Sequence, residues 1–242
     1  MMSIDKYENI NLSVVMPVYN EAGTIESTIR DFYNTVGLKI PDVEFIIAED
    51  GSTDGTRRIL KRLAKELPIV LICSRERKGY TKAFKDALAY AKKDLILFSD
   101  SDGQHKPSDV FLLLEAIKDN DIASGYKMPR MDPLHRIVMS KVYNFIINIL
   151  FKFQMIDIDS GFKLIRREVI EDVLWKVTRM EYCVMSEFII RSKLAGYRIV
   201  EVPVSHISRT NSKTCIFLPT KLLVIIFSLL VSLLIMRLGD TR

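Results

Sequence analysis

The stretch DLILFSDSDGQ, residues 94–104, decides the fold class of this chain. Its first half is a short, almost uninterrupted apolar run, which is typical of a strand that is buried on both faces of a parallel sheet. Its second half becomes acidic and polar at Asp100, Asp102 and Gln104. Parallel α/β sheets bind ligands beyond the carboxyl ends of their strands, so this acidic half marks a candidate site.

Similar apolar runs occur on both sides of this stretch and alternate with helical segments. Strands are predicted at residues 12–17, 43–48, 69–73, 94–99 and 121–124. Helices are predicted between them at residues 24–33, 56–67, 81–91 and 107–119. This alternation predicts an α/β fold with a doubly wound, mostly parallel sheet that is flanked by helices.

The alternation ends after residue 124. The next predicted elements are a helix at 134–151, a loop at 157–161, a helix around 186–195 and a strand at 198–204. No internal repeat and no linker rich in Pro, Gly or Ser divides the chain. We therefore predict one catalytic domain over residues 1–213 and a C-terminal segment over residues 214–242.

The C-terminal segment contains LLVIIFSLLVSLLIM, residues 222–236, which carries no charge. A helix of this length covers roughly 22 Å, whereas the hydrocarbon core of a bilayer is about 30 Å thick. A buried core helix is the alternative, but apolar residues on every face favour contact with lipid. We predict a C-terminal apolar helix that lies in the membrane or briefly spans it.

Composition and missing motifs argue against several classes of function. The net charge is only +5, and no basic stripe with interleaved aromatic residues indicates a nucleic-acid partner. The N-terminus does not resemble a signal peptide, and the three cysteines lack metal-ligand spacing, so reduced thiols in the cytoplasm are expected. No GxGxxG follows the first strand and no GxxxxGK[ST] occurs, which disfavours dinucleotide oxidoreductases and P-loop nucleotidases.

Asp100 and Asp102 offer the ligands that a divalent cation prefers. Mg²⁺ and Mn²⁺ bind oxygen atoms, take only one or two protein carboxylates and leave positions for phosphate oxygens. Gln104 supplies a further oxygen two residues on. A nucleotide-diphosphate sugar needs such a cation as a Lewis acid while its sugar–phosphate bond breaks. Because Asp-x-Asp also occurs in turns and helix caps, the prediction depends on its position at a strand end.

Two other predicted strands end in polar residues at the same edge of the sheet. The first strand leads into PVYNE, residues 17–21, and the second leads into EDGSTDGT, residues 49–56. Asp50 lies directly at the strand end, where a ribose or a base would meet it. Asp54 is expected to cap the following helix instead.

Four motifs, SVVMPVYNEAGTI, EDGSTDGT, DSDGQH and DSGFKLIRR, occur in an order that resembles a known family. Together they resemble the family 2 glycosyltransferases of the GT-A fold, and in particular their polyprenyl-phosphate branch. The resemblance covers residues 12–213. It implies an inverting, metal-dependent hexosyltransferase that uses Mg²⁺ or Mn²⁺ and a nucleotide-diphosphate sugar of the GDP-mannose or UDP-glucose type.

The resemblance also assigns roles to individual residues. It implies donor binding by Pro17, Tyr19, Glu21, Asp50 and Asp100. It implies a metal site at Asp100, Asp102 and Gln104. Asp100 and Asp102 are also the predicted catalytic residues, together with Asp159, which faces either the sugar or the acceptor, or else forms a turn.

The acceptor side is predicted from charge as well as from the resemblance. A phosphate acceptor is ionised near neutral pH, so it needs cations that position it rather than a general base. Arg136 and Ser140 are four residues apart and share one face of a predicted helix, which lies in a segment that also contains Lys127, Arg130 and Lys141. The resemblance implies acceptor-phosphate contacts for Lys127, Arg136, Ser140 and Arg209. Each of these cations taken alone is equally a solvated surface charge.

The predicted function is transfer of a hexose to a polyprenyl (dolichyl) phosphate at the cytoplasmic face of the cell membrane, or of a membrane of the endoplasmic-reticulum type. One alternative is a family 2 transferase that acts on a sugar hydroxyl in polysaccharide or glycolipid synthesis, with Asp159 as its base. The other is a nucleotide-sugar-binding membrane scaffold without catalysis. The chain lacks the GxGxRxxP-like opening loop of sugar-1-phosphate nucleotidyltransferases.

Overall fold

A computed structural model describes residues 7–208 and 219–239, with side chains in the last helix described from residue 228 onward. One sheet of seven strands forms its centre. The strands are β1 (Asn11–Val18), β2 (Asp42–Glu49), β3 (Ile69–Cys73), β4 (Leu95–Ser99), β5 (Ile122–Lys127), β6 (Phe162–Arg166) and β7 (Ile199–Val204). Their order in the sheet is β3-β2-β1-β4-β6-β5-β7.

Helices cover both faces of this sheet. They are α1 (Ile25–Phe32), α2 (Thr56–Glu66), α3 (Tyr80–Tyr90), α4 (Val110–Ala116), α5 (Leu134–Phe151), α6 (Arg167–Val173), α7 (Val184–Leu194) and α8 (Pro219–Gly239). Short 3-10 turns at Pro107–Asp109 and Ile117–Asp119 flank α4, so the predicted helix at 107–119 is a short α-helix between two tighter turns.

The core consists of two layers, one on each face of the sheet. In β1, Val15 belongs to one apolar cluster while Val14 and Met16 belong to the other, because successive strand residues point to opposite faces. Helices α3, α5, α6 and α7 cover the first layer, and α1, α2 and α4 cover the second. The predicted doubly wound α/β architecture is therefore confirmed.

One strand was not predicted. β6 lies between β4 and β5 and pairs with both in the antiparallel direction, whereas every other pairing in the sheet is parallel. The prediction of a mostly parallel sheet is correct. The chain leaves β5 and enters β6 at the same rim, where Gly161 before β6 lies against Asp100 after β4, so β6 runs in the opposite direction to its neighbours.

The topology brings three strand ends to one edge. β1 pairs in parallel with both β2 and β4, so Val18, Glu49 and Ser99 end at the same rim. The backbone amide of Asp50 donates to the carbonyl of Val18 at 2.9 Å, and that of Asp100 donates to the carbonyl of Gly161 at 2.9 Å. These bonds fix the first residue beyond β2 and the first residue beyond β4.

Within the predicted C-terminal segment, Pro219–Gly239 form the helix α8, and this helix packs against the protein along one side. Leu233 and Met236 are only 1% and 2% exposed and belong to a core cluster, while Leu234 and Ile235 are exposed. Among the residues that the structure describes, no helix has both the length and the apolarity for crossing a bilayer.

Candidate active site

A cavity of about 220 Å³ lies at the rim formed by β1, β2 and β4. Its walls combine the three predicted strand ends with residues from the loop after β3 and the start of α3. The lining residues are Pro17, Val18, Tyr19, Glu21, Asp50, Arg77, Tyr80, Ala83, Asp100, Ser101 and Asp102. All five residues predicted to bind the donor line this cavity; their roles stay predictions.

The loop after β3 is fixed to this cavity by Asp50. Its Oδ1 accepts a hydrogen bond from the Lys78 amide at 2.7 Å, and its Oδ2 accepts one from the Gly79 amide at 3.0 Å. The guanidinium of Arg77, in the same loop, lies 4.2 Å from the centre of the Tyr19 ring. The sequence did not single out Arg77, because nothing in its spacing shows that a loop will place it on that ring.

The loops after β1 and β2 are joined to each other. The Thr53 amide donates to Asn20 Oδ1 at 2.8 Å, and the Ala22 amide donates to Asp54 Oδ2 at 3.0 Å. The other oxygen of Asp54 accepts from the Thr56 amide at 3.1 Å, at the first residue of α2. Gly55 is the N-cap residue of α2, so Asp54 does not take the expected cap position; its carboxylate bonds the first helical amide from one residue earlier and also positions the loop after β1.

Asp100 stands at the centre of the rim. Its Oδ1 accepts a hydrogen bond from the hydroxyl of Tyr80 at 3.0 Å. Gly161 contacts the carboxylate so closely that a methyl group at that position would overlap it. Burial, and then the neighbouring carboxylate of Asp102, raise the pKa of Asp100 to about 7, against the opposing effects of the Tyr80 hydroxyl and the Lys127 ammonium.

The third predicted metal ligand, Gln104, contacts the predicted acceptor side. The Gln104 amide donates to Asp102 Oδ1 at 3.1 Å, and Lys127 Nζ donates to Gln104 Oε1 at 3.2 Å. Over the described residues, no cluster of three or more His, Cys, Asp or Glu side chains fits a metal ion. The two carboxylates suit a hard divalent cation only when phosphate or water oxygens complete its coordination.

A second cavity, of about 540 Å³, meets the first at Asp100, which lines both. Its polar end is formed by Asp100, Lys127, Arg130, Ser140, Asp157, Asp159, Ser160 and Gly161. Its other end is mostly apolar and is formed by Val138, Met139, Val142, Tyr143, Ile146, Cys183, Leu229, Leu230 and Leu233. The cavity is thus amphipathic, with its cations next to Asp100.

Arg130 is the arginine that reaches the predicted serine. Its Nη1 donates to Ser140 Oγ at 2.8 Å, its Nε donates to Asp132 Oδ2 at 2.8 Å, and Asp157 Oδ2 lies 3.9 Å from Nη1. Among the residues that the structure describes, Arg136 is exposed and does not line the second cavity. Arg209 lies outside the described residues. The acceptor roles of Lys127, Arg136, Ser140 and Arg209 stay predictions.

Asp159 lines the second cavity and connects it to α7. Its Oδ1 accepts hydrogen bonds from the backbone amide and the hydroxyl of Ser186, at 3.2 and 2.8 Å. Asp159 is exposed at the cavity surface. Desolvation of its carboxylate by the protein around it raises the pKa of Asp159 to about 6, against the effects of Ser186 and the Lys163 ammonium. Its predicted catalytic role is not tested by this geometry.

Lys163 is a charged residue that the sequence did not mark. Its side chain is 0% exposed, and its Nζ donates to Ser124 Oγ at 2.7 Å. Burial lowers the pKa of Lys163 to about 8, while Asp157 and Asp159 oppose this effect. The ammonium therefore lies beneath the acidic end of the second cavity.

His105 and His206 form an isolated antiparallel bridge beside the metal loop. His206 Nδ1 accepts from the Met131 amide at 2.9 Å, and the ring of His105 stacks on Phe162 at 4.7 Å. Burial lowers the pKa of His105 to about 3, so a general-base role near neutral pH is disfavoured for it. The amide of Ile207 also donates to the carbonyl of Gln104 at 3.0 Å, so backbone contacts join the Asp102–Gln104 loop to the chain that follows β7.

A doubly wound sheet whose rim carries an Asp-x-Asp pair beside two joined cavities is the architecture of a metal-dependent glycosyltransferase of the GT-A type. Residues 13–174 match the sequence profile described as Glycosyl transferase family 2, and the chain belongs to this family.

Two curated relatives are similar to this chain over most of its length. Glycosyltransferase AglD of Haloferax volcanii is 32% identical over 213 residues, which cover 84% of this chain and 34% of AglD. This chain therefore spans about a third of that relative. Polyprenol monophosphomannose synthase of Mycolicibacterium smegmatis is 27% identical over 208 residues, covering 81% of this chain and 77% of the relative.

Solved structures share the fold at low sequence identity. Glucosyl-3-phosphoglycerate synthase from Mycobacterium tuberculosis, in complex with Mn²⁺, UDP and phosphoglyceric acid, has a TM-score of 0.72 at 20% identity, and the match covers 96% of this chain and 82% of that one. Mannosyltransferase PcManGT from Pyrobaculum calidifontis, in complex with GDP-Man and Mn²⁺, has a TM-score of 0.63 at 21% identity, covering 84% and 58%.

Proposed function

We propose that this protein transfers a hexose from a nucleotide-diphosphate sugar to a polyprenyl phosphate, with inversion at the anomeric carbon. One observation carries the proposal: a cavity that contains the carboxylates of Asp50, Asp100 and Asp102 meets an amphipathic cavity at Asp100. The transferred sugar would lie at this junction, between its leaving group and its acceptor.

The first cavity supports a nucleotide donor. Tyr19 and Arg77 offer a flat, polarisable surface for a base, and Asp50 and Glu21 offer acceptors for ribose hydroxyls. The complexes of the structural relatives contain UDP or GDP-Man together with Mn²⁺. In this chain Asp100 and Asp102 would hold Mg²⁺ or Mn²⁺, and the bound cation supplies charge neutralisation of the departing diphosphate.

The second cavity supports a lipid phosphate as the acceptor. Lys127, Arg130 and Ser140 line its polar end and offer charged and neutral donors to a phosphate group. An ionised phosphate oxygen attacks the anomeric carbon directly, and the bond from that carbon to the donor diphosphate breaks. The protein would contribute mainly alignment and charge stabilisation, because no proton has to be removed from the nucleophile.

Exposed apolar side chains next to this cavity support action at a membrane face. On α5 they include Leu134, Phe145 and Ile149, and on α8 they include Leu234 and Ile235. Large exposed apolar patches mark protein or membrane contacts. Co-sedimentation with vesicles of anionic phospholipid tests this localisation, and protein that stays in the supernatant at every vesicle concentration contradicts it.

A donor and acceptor panel tests the proposed function. Purified protein is incubated with Mn²⁺, radiolabelled GDP-mannose or UDP-glucose, and undecaprenyl phosphate, dolichyl phosphate or 3-phosphoglycerate. We expect labelled product in the chloroform phase with a polyprenyl phosphate. If label appears only in a water-soluble product formed with 3-phosphoglycerate, the acceptor is a small phosphate and the proposed lipid acceptor is wrong.

The raised pKa of Asp100 predicts that the affinity of the site for Mn²⁺ depends on pH. The folded pKa of about 7 means that a proton competes with the cation, so affinity should fall roughly tenfold per pH unit below 7. The Tyr80 hydroxyl lowers the pKa of Asp100, so Tyr80→Phe should shift this loss to higher pH. Titration with Mn²⁺ at pH 6, 7 and 8, followed by electron paramagnetic resonance, measures both effects.

Tyr90→Phe is the matched control for this prediction, because Tyr90 is exposed at the far end of the same helix. It should behave as the unchanged protein. Equal Mn²⁺ affinity at pH 6 and pH 8 would contradict the assigned role of Asp100.

A sugar hydroxyl as acceptor is the second candidate, because Asp159 lines the acceptor cavity and its pKa of about 6 suits a general base. Asp159→Asn keeps an oxygen for Ser186 but removes the base. With a phosphate acceptor, kcat should fall less than about tenfold. If the acceptor is a sugar hydroxyl, kcat should fall by about 10²–10⁴-fold while donor binding is unchanged. Single-turnover kinetics together with donor titration calorimetry distinguish the two.

A further inference from the structure

Helix α8 has two apolar faces, one packed against the core and one exposed. Leu233 and Met236 pack into the core cluster, and Ser232 Oγ donates to the Arg179 carbonyl at 3.4 Å. Leu234 and Ile235 face away from the core and are exposed. The helix is thus docked against the catalytic domain by one defined face.

This docked face also forms a wall of the acceptor cavity. Leu229, Leu230 and Leu233 of α8 line the cavity opposite Val138, Val142 and Ile146 of α5. Leu230 remains 37% exposed, so its side chain is available to a ligand rather than consumed by core packing. The polar end of the same cavity contains Lys127, Arg130 and Ser140. A ligand that occupies the whole cavity must therefore also carry a group that suits these donors.

A ligand that fills both ends must carry an anionic group and an apolar chain in one molecule. The anionic group lies at the cations beside Asp100, and its chain then runs between α5 and α8. A small hydrophilic phosphate would leave the leucine and valine side chains in contact with water. Each methylene group buried there would instead strengthen binding by about fourfold.

We propose that α5 and the inner face of α8 bind the hydrocarbon chain of the acceptor, so that α8 selects acceptors by the length of their apolar chain. This rests on the proposed function, because it requires an acceptor that is a lipid phosphate. It makes α8 part of the substrate site, in addition to any contact of its outer face with a membrane.

The test compares two acceptors in detergent solution, which removes the need for vesicle binding. Isopentenyl phosphate fills only the polar end, whereas farnesyl phosphate also reaches α8. The unchanged protein should have a KM for farnesyl phosphate at least tenfold below that for isopentenyl phosphate. Leu230→Gln should raise the KM for farnesyl phosphate about tenfold and leave kcat/KM for isopentenyl phosphate within twofold.

Leu234→Gln is the matched control, since it makes the same substitution on the same helix at a side chain that is 49% exposed and does not line the cavity. Its KM for both acceptors should stay within twofold of the unchanged protein. Equal effects of the two variants on farnesyl phosphate, or equal KM values for both acceptors in the unchanged protein, would overturn the role of α8.

Calorimetric titration with farnesyl phosphate separates this inference from the proposed function. If Leu230→Gln weakens binding selectively but no variant forms a glycosylated lipid with any donor, the proposed transfer is wrong while the chain-binding site remains supported. If transfer to farnesyl phosphate occurs with unchanged kinetics in Leu230→Gln, the inference is wrong while the proposed transfer remains supported. If farnesyl phosphate neither binds nor reacts, the inference is wrong, and the undecaprenyl and dolichyl phosphates of the acceptor panel decide the proposed transfer.

Discussion

Replacing Asp100 and Asp102 together with alanine is expected to lower kcat by about a thousandfold or more. The reason is the loss of the two carboxylates that would hold the cation against the leaving diphosphate, where electrostatic stabilisation of the transition state is concentrated. The measurement is product formation at saturating donor and acceptor. Chelation of the unchanged protein should give the same loss, and added Mn²⁺ should reverse it only in the unchanged protein.

Unfolding is readily distinguished from this loss of chemistry. The pKa of Asp100 is about 7 in the folded protein and near 3.8 when unfolded, so the ionised carboxylate is disfavoured in the folded state. This destabilisation grows as the pH rises from about 4 to 7 and is complete above 7. Asp100→Ala should therefore melt at or above the temperature of the unchanged protein at pH 8. Asp119→Ala, an exposed control, should retain full activity.

Gly161→Ala is expected to lower kcat by about a hundredfold although it removes no functional group. The added methyl group would occupy the position of the Asp100 carboxylate, so the carboxylate must rotate away from Asp102 and from the Tyr80 hydroxyl. Small displacements of a catalytic group cost rates of this order. Steady-state kinetics with a Mn²⁺ titration should show a raised Mn²⁺ requirement.

Gly23→Ala is the matched control, because an added methyl group there meets no atom within 4 Å. It makes the same change in backbone freedom near the same rim and should retain activity within twofold. If Gly161→Ala kept normal kcat and normal Mn²⁺ dependence, the position described for the Asp100 carboxylate would be wrong.

The residues around the first cavity were predictable from sequence because they lie at strand ends. An uninterrupted apolar run marks each buried strand, and the next polar residue must lie at the rim. Tyr19, Asp50 and Asp100 were placed at the rim by this reasoning, whereas Pro17 was assigned by the resemblance. Arg77 and Tyr80 were not, because they reach the cavity through the conformation of the loop after β3, which no periodic pattern encodes.

The second cavity depends on tertiary packing, and its residues were predicted less well. Helical spacing correctly put Arg136 and Ser140 on one helix, but the guanidinium that bonds Ser140 belongs to Arg130, which precedes the helix. The apolar run at 222–236 gave no sign of which face would dock. Only the partner helix α5 and the core beneath it distinguish Leu233 from Leu234.

The antiparallel strand β6 was missed for a related reason. Its sequence, FKLIR, places a lysine among apolar residues, and a lysine in a buried strand is unusual unless it has a partner. That partner, Ser124, is 39 residues away in sequence.

The lysine in β6 has a consequence for how the sheet assembles. Lys163 pairs across the strands with Ser124, and Ser124 pairs with Glu201, so three polar residues form one row over β6, β5 and β7. The carboxylate of Glu201 in turn accepts from the amides of Ile156 and Asp157, at 2.7 and 2.8 Å.

A shift of β5 by one residue would turn Ser124 to the opposite face and leave the ammonium without its hydroxyl partner. Misaligned sheets are therefore penalised by an unsolvated charge, whereas a purely aliphatic row would tolerate them. The buried amino group of Lys163 is therefore expected to disfavour a one-residue slip of β5 relative to β6.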